Sequence, residues 1–131
     1  MTSNQNASQP KNQQPELTQD QCFILYEKGT EPPFTSPLLK EKRIGTYVTA
    51  DTQLPVFRSE AKFESRSGWP SFFEPIADNI ILQEDTSHGM VRTEVLSKDT
   101  QVHLGHVFED GPPPTGKRFC INGEALLFIP D

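Results

Sequence analysis

Arg118-Phe119-Cys120-Ile121-Asn122 and, after Gly123-Glu124, Ala125-Leu126-Leu127-Phe128-Ile129 lie near the end of a chain of 131 residues. In the first stretch, polar and apolar side chains alternate with a period of two, the signature of a strand buried on one face. Arg118, Cys120 and Asn122 share one side of that strand, and Phe119 and Ile121 face the other way. The second stretch is a short apolar run of strand length. Working back along the chain, similar segments recur at residues 45–49, 54–58, 79–82, 90–95 and 102–108, separated by Gly, Pro, Asp and Asn. Strands this short, in a chain with 12 prolines and 8 glycines, predict an antiparallel sheet pair or a small barrel.

The N-terminal region reads differently. Residues 1–15 are rich in Gln, Asn and Ser with almost nothing to bury, so a flexible polar tail is expected there. Residues 16–131 then make a single domain. Over residues 16–28, Leu17, Cys22, Phe23, Leu25 and Tyr26 fall partly at helical spacing, with Thr18 or Asp20 to cap the start and Gly29 to close the helix. Pro32 and Pro33 make residues 29–37 a loop, and a second short helix is expected over residues 36–41.

Composition excludes several function classes. The net charge is −6, from 12 basic and 18 acidic residues, and no basic cluster offers a footprint for nucleic acid. No stretch reaches the roughly 20 apolar residues needed to span a bilayer, so no membrane partner is expected. The first residues lack the basic-then-apolar build of a secretory signal, and a cytoplasmic protein is expected. No glycine-rich phosphate cradle is present. The two cysteines, Cys22 and Cys120, form no CxxC pair, which leaves thiol chemistry open and argues against a disulfide framework.

Three segments carry candidate chemistry. In Gly68-Trp69-Pro70-Ser71-Phe72-Phe73 the single tryptophan is presented from a turn, either as a core ring or as an aromatic wall for an apolar ligand group. In His103-Leu104-Gly105-His106-Val107-Phe108 the two histidines are three apart. On a regular strand they point to opposite faces, so Gly105 has to bend the chain for them to converge. Carboxylates or thiolates at zinc-site spacing are missing, and the histidines read as hydrogen-bonding or general-acid groups rather than metal ligands. On the third segment, a thiol between a guanidinium and an amide is placed as a nucleophile, with Arg118 expected to favour the thiolate of Cys120.

Taken together, Gly29-Thr30-Glu31-Pro32-Pro33-Phe34, Lys62-Phe63-Glu64-Ser65, Gly68-Trp69-Pro70-Ser71-Phe72, Gly89-Met90-Val91-Arg92-Thr93-Glu94-Val95, His103-Leu104-Gly105-His106-Val107-Phe108 and Arg118-Phe119-Cys120-Ile121-Asn122 resemble the B-type methionine sulfoxide reductases. The resemblance runs in order from about Leu17 to the C-terminus. It implies a mainly β fold, two antiparallel sheets in a small barrel-like arrangement, with short N-terminal helices laid across them. It also implies thiol-dependent reduction of the R epimer of methionine sulfoxide, free or in oxidised proteins. Cys120 matches the catalytic cysteine, Trp69 the residue against the ε-methyl, and His103, His106, Asp110, Arg118 and Asn122 the polar groups around substrate oxygen and sulfur. Phe72 and Phe108 are the aromatic neighbours expected to help hold the methyl, and Asp110 is expected to orient one imidazole.

Two departures from the family pattern shape the expectation. Many members carry a resolving cysteine where this chain has Ser67, so Cys22 is left as the candidate resolver of a Cys120 sulfenic acid; direct attack by an external thiol is the rival. Thioredoxin or another thiol is the implied electron source, with no other cofactor, and the protein is expected to be a monomer. Many members also bind a structural zinc through two CxxC pairs, where this chain has Thr49, Thr52, Ser97 and Thr100; no zinc is expected. A pocket that binds methionine sulfoxide without turning it over is the non-enzymatic alternative.

Overall fold

A computed structural model describes residues 16–131; the tail expected over residues 1–15 lies outside them. Helix α1 spans Gln19–Glu27. Thr18 caps it in a reciprocal box: its hydroxyl accepts the Gln21 N–H at 3.0 Å, and the Gln21 side chain accepts the Thr18 N–H at 2.8 Å, which satisfies two donors that a helix start otherwise leaves open. A 3₁₀ turn, Pro37–Lys40, stands where the second helix was expected. The strands are β1 (Gly45–Thr49), β2 (Pro55–Arg58), β3 (Lys62–Phe63), β4 (Ser71–Phe72), β5 (Ile80–Asp85), β6 (Arg92–Ser97), β7 (His103–Phe108), β8 (Arg118–Ile121) and β9 (Leu126–Pro130). The fold is mainly β, with two antiparallel sheets in the orders β9-β1-β2 and β3-β4-β8-β7-β6-β5.

An aromatic core joins the two sheets. Phe57 of β2 stacks on Phe72 of β4 with ring centroids 4.3 Å apart, Tyr47 of β1 meets the edge of Phe72 at 5.1 Å, and Phe119 of β8 leans on Phe57 at 5.9 Å. Fully burying a side chain of this kind contributes about 1.5–3 kcal/mol. Ile24 and Leu25 add the apolar side of α1 to the same core. Phe72 therefore departs from expectation: it has no exposed surface and serves the core, because pairing of β4 with β8 turns it away from the polar side.

The β6–β7 ladder shows how two histidines three apart reach one side. Val95 pairs with Gly105, but Leu96 pairs with His103, so Leu104 is an extra residue in β7. One extra residue inverts the alternation, and the His103 and His106 rings lie 5.4 Å apart. Leu104 turns into the core with no exposure. Gly105 is needed for a different reason from the bend foreseen: a Cβ there would collide with the Cys120 carbonyl oxygen. Replacing Gly105 by alanine is expected to lower stability by about 2–3 kcal/mol, seen as a lower denaturant midpoint with an unchanged slope; an unchanged midpoint would show that β7 and β8 do not pack as described.

Thr49, Thr52, Ser97 and Thr100 lie together at one corner and cross-brace it. Thr52 donates to Asp99 Oδ2 at 2.7 Å and Thr100 to Asp51 Oδ2 at 2.6 Å, while the hydroxyls pair as Thr49 with Thr52 at 3.3 Å and Ser97 with Thr100 at 3.1 Å. No described helix is long and apolar enough to cross a membrane.

Candidate active site

β8 alternates as its residue pattern requires: Phe119 and Ile121 are buried and Cys120 and Arg118 partly exposed. Cys120 is paired by register with His106 on β7 and with Ser71 on β4. Its side chain faces a cleft of about 240 Å³ that Trp69, Phe108, His106, Arg118, Asn122 and Ser67 help to line. Such a cleft admits a side chain rather than a folded surface. The Trp69 ring is held by its polar edge, the indole N–H donating to the Glu31 carbonyl at 3.0 Å, which leaves the ring face for apolar contact. Glu31 also fixes the end of β8. Its N–H donates to Asn122 Oδ1 at 3.0 Å, and its buried carboxylate accepts the N–H groups of Gly123 and Glu124 at 2.9 and 2.8 Å. Asn122 is therefore occupied: its amide donates to the Leu104 carbonyl at 3.1 Å.

Each histidine is held by a carboxylate from another strand of the same sheet. His106 Nε2 lies 2.7 Å from Asp85 Oδ2 on β5, and His103 Nδ1 lies 2.7 Å from Glu94 Oε2 on β6. Burial pushes His106 below its ordinary value of 6.5, against the opposing pull of Asp85, and burial likewise lowers His103. Asp85 is held well below the carboxylate range, chiefly by its hydrogen bond to His106. Asp85 is thus ionised while His106 is neutral, so His106 donates its Nε2–H to Asp85 and keeps Nδ1 as an acceptor. His106 lines the cleft, whereas His103 stands behind it, 2% exposed.

One expectation needs correction here. Asp110 orients neither imidazole: the chain turns after β7 and its carboxylate meets Arg118, Oδ1 to Nε at 3.0 Å and Oδ2 to Nη2 at 3.2 Å. Asp85 and Glu94 hold that role, and they escaped sequence reasoning because strand pairing alone brings them to the histidines. At Cys120 burial outweighs the pull of Arg118 toward the thiolate. Burial pushes the thiol above its ordinary value of 9.0, and the opposing pull of Arg118 and Ser67 does not overcome it. Arg118 shares its charge with Asp110 and lies over the Phe108 ring, 4.6 Å from its centroid. Cys120 therefore rests as a thiol.

A search against protein families matches residues 17–130 to the SelR domain. The chain is 51% identical over 115 residues to the peptide methionine sulfoxide reductase MsrB of Xylella fastidiosa (strain 9a5c), covering 87% of this chain and 74% of that protein. It is 53% identical over 114 residues to MsrB of Leptospira interrogans, covering 86% and 87%, and 52% identical to MsrB of Pseudomonas putida (strain W619), covering 87% and 86%.

The chain belongs to the B-type methionine sulfoxide reductases.

It is accordingly an oxidoreductase, a peptide-methionine (R)-S-oxide reductase. Of the residues singled out from the sequence of this reductase, the fold brings Cys120, His106, Trp69, Phe108, Arg118 and Asn122 around one cleft. His103 supports it from behind, Phe72 belongs to the core, and Cys22 is on α1, outside the cleft lining. Both cysteines are free thiols.

Proposed function

We propose that this reductase acts through Cys120 as nucleophile and His106 as the group that carries its proton, with Asp85 fixing the imidazole. What supports this most is the strand register that sets Cys120 beside His106, itself held by Asp85, with both residues lining the tryptophan-walled cleft. His106 Nδ1 takes the thiol proton as sulfur attacks the sulfoxide sulfur. Attack joins the two sulfurs, the proton passes to the sulfoxide oxygen, and the S–O bond breaks as that oxygen bonds to the Cys120 sulfur; the S–S bond breaks with its electron pair on the departing methionine, so Cys120 ends as a sulfenic acid. Methionine sulfoxide is reduced by two electrons and the Cys120 sulfur is oxidised by two. One preorganised donor at the developing negative oxygen contributes about 3–4 kcal/mol to lowering the barrier. The Trp69 face takes the methyl group, so the configuration at sulfur decides whether the oxygen meets His106.

A second thiol then attacks the sulfenic acid, releasing water and leaving a disulfide that a further thiol reduces. The position of Cys22 favours an incoming thiol, from thioredoxin or a small reductant, over an internal one. Cys120 is open to the cleft, whereas Cys22 is on α1 and does not line it, and a disulfide between them needs Cα atoms within about 7 Å. In this reading the substrate is methionine R-sulfoxide in oxidised proteins of the cytoplasm and the enzyme acts as a monomer. The hydroxyl–carboxylate brace at Thr49, Thr52, Ser97 and Thr100 supports a corner that holds without zinc. The test is reduction of each epimer by wild type and Cys22→Ser, with dithiothreitol and with thioredoxin plus its reductase. Turnover of the R epimer alone is expected, at rates within about twofold for the two proteins under both reductants. Loss of thioredoxin-driven turnover in Cys22→Ser would put Cys22 in the cycle, and equal turnover of both epimers would contradict the role of the cleft.

A further inference from the structure

Lys28 ends α1 in the left-handed conformation, φ 57° and ψ 37°. That position usually falls to glycine, and in any other residue it costs roughly 1 kcal/mol. Gly29, the residue expected to close the helix, is next in the chain, yet the lysine takes the left-handed position. The destination of its side chain gives the reason. The ammonium lies 3.1 Å from Asp85 Oδ1 and 3.4 Å from Glu94 Oε1, and so bridges the two carboxylates that hold His106 and His103. Both carboxylate side chains are 1% exposed.

Two buried carboxylates on adjacent strands cannot both stay ionised without compensation. Their cations are Lys28 from α1 and Arg92 from β6, 3.6 Å from Asp85 Oδ2. With both cations present the cluster is neutral when both imidazoles are uncharged. Take Lys28 away and one buried negative charge is left over, which a proton on an imidazole cancels.

We propose that Lys28 is a positioning residue of the active site, whose ammonium clamps Asp85 and Glu94 and so keeps the two histidines they hold uncharged and oriented. The proposal rests on the assignment of His106 as proton carrier. The groups that face the cluster are Tyr26 on α1 and Lys28 at its C-cap, Asp85 on β5, Arg92 and Glu94 on β6, and Cys120 and Arg118 on β8. The charge balance around His103 agrees with it: burial is the main force lowering that group, Glu94 opposes it, and the Lys28 cation adds to the lowering. Because the lysine side chain is 45% exposed, solvent screens part of its effect.

The test compares Lys28→Asn, whose residue tolerates the left-handed backbone, with Lys28→Arg, which keeps the charge. The ring protons of His103 and His106 are titrated by NMR, with exposed His88 as internal reference, and kcat/KM for an R-sulfoxide is followed against pH. Loss of the cation makes protonation easier, so in Lys28→Asn the His103 midpoint rises by about half a pH unit or more. The acid limb of kcat/KM, where neutral His106 is lost, moves up with it, and Lys28→Arg restores both. Folded Lys28→Asn with both rings titrating as in wild type overturns the proposal. A His106 ring that shifts while the rate ignores it leaves the clamp standing and contradicts the proton-carrier role of His106.

Discussion

Cys120→Ser is expected to lose reduction of methionine R-sulfoxide by at least about a thousandfold with any reductant. A serine hydroxyl is a far weaker nucleophile toward sulfur than a thiol, and the base available to it is a neutral imidazole that does not generate an alkoxide. The substitution changes one atom on the polar side of β8 and leaves Phe119 and Ile121 in the core, so the unfolding midpoint should stay within about 0.5 kcal/mol of wild type. Binding of the sulfoxide should survive, because the wall supplied by Trp69 is untouched. Measurable turnover by a folded Cys120→Ser protein would remove this sulfur from the chemistry. The same experiment disposes of the non-catalytic alternative, since a mere binding pocket would show no turnover in the wild type either.

The second large effect is expected at Asp85. Its ionised carboxylate accepts the Nε2–H of His106 and leaves Nδ1 bare. In Asp85→Asn the side-chain amide can donate to Nε2, which favours the tautomer with its proton on Nδ1 and takes away the acceptor for the thiol proton. Losses of about 10²–10⁴ in kcat follow when a carboxylate that sets an imidazole tautomer is made neutral. A pH profile separates this from simple damage. Asp85 is the partner that raises the affinity of His106 for a proton, against the burial that lowers it. Removing that charge lowers the His106 midpoint further, so the residual activity keeps its base to lower pH and the acid limb shifts downward. The shift is opposite in sign to that expected for Lys28→Asn. An unchanged kcat in Asp85→Asn would mean that His106 needs no partner on β5.

The strands and the reactive face were legible because period-two alternation survives in a single sequence. Arg118, Cys120 and Asn122 against Phe119 and Ile121 gave β8 and its polar side directly, and β1 was read at its observed limits, Gly45–Thr49. Long-range pairing was not legible. The two-residue strands β3 and β4 are too short to carry a period, and they exist because β4 can pair with β8. That pairing decides the fate of Phe72, whose neighbour Trp69 lines the cleft while Phe72 does not. The bulge at Leu104 is a relation between two strands, so the spacing of His103 and His106 alone pointed to opposite faces. Asp110 was assigned to an imidazole on the family resemblance, but the carboxylates that hold the imidazoles come from β5 and β6. The acidity of Cys120 was not legible for a similar reason: a guanidinium two residues away is visible in the sequence, whereas burial of the sulfur and the claim of Asp110 on that guanidinium are not.

Central to this account is the transfer of the sulfoxide oxygen to one sulfur atom. The direct measurement is a single turnover of reduced enzyme with a limiting amount of R-sulfoxide and no reductant, followed by trapping with a sulfenic-acid-specific nucleophile and peptide mass analysis. One equivalent of methionine should appear for each equivalent of trapped adduct, and the adduct should sit on the peptide that carries Cys120. Methionine formed in full with the Cys120 thiol still reduced would contradict the account.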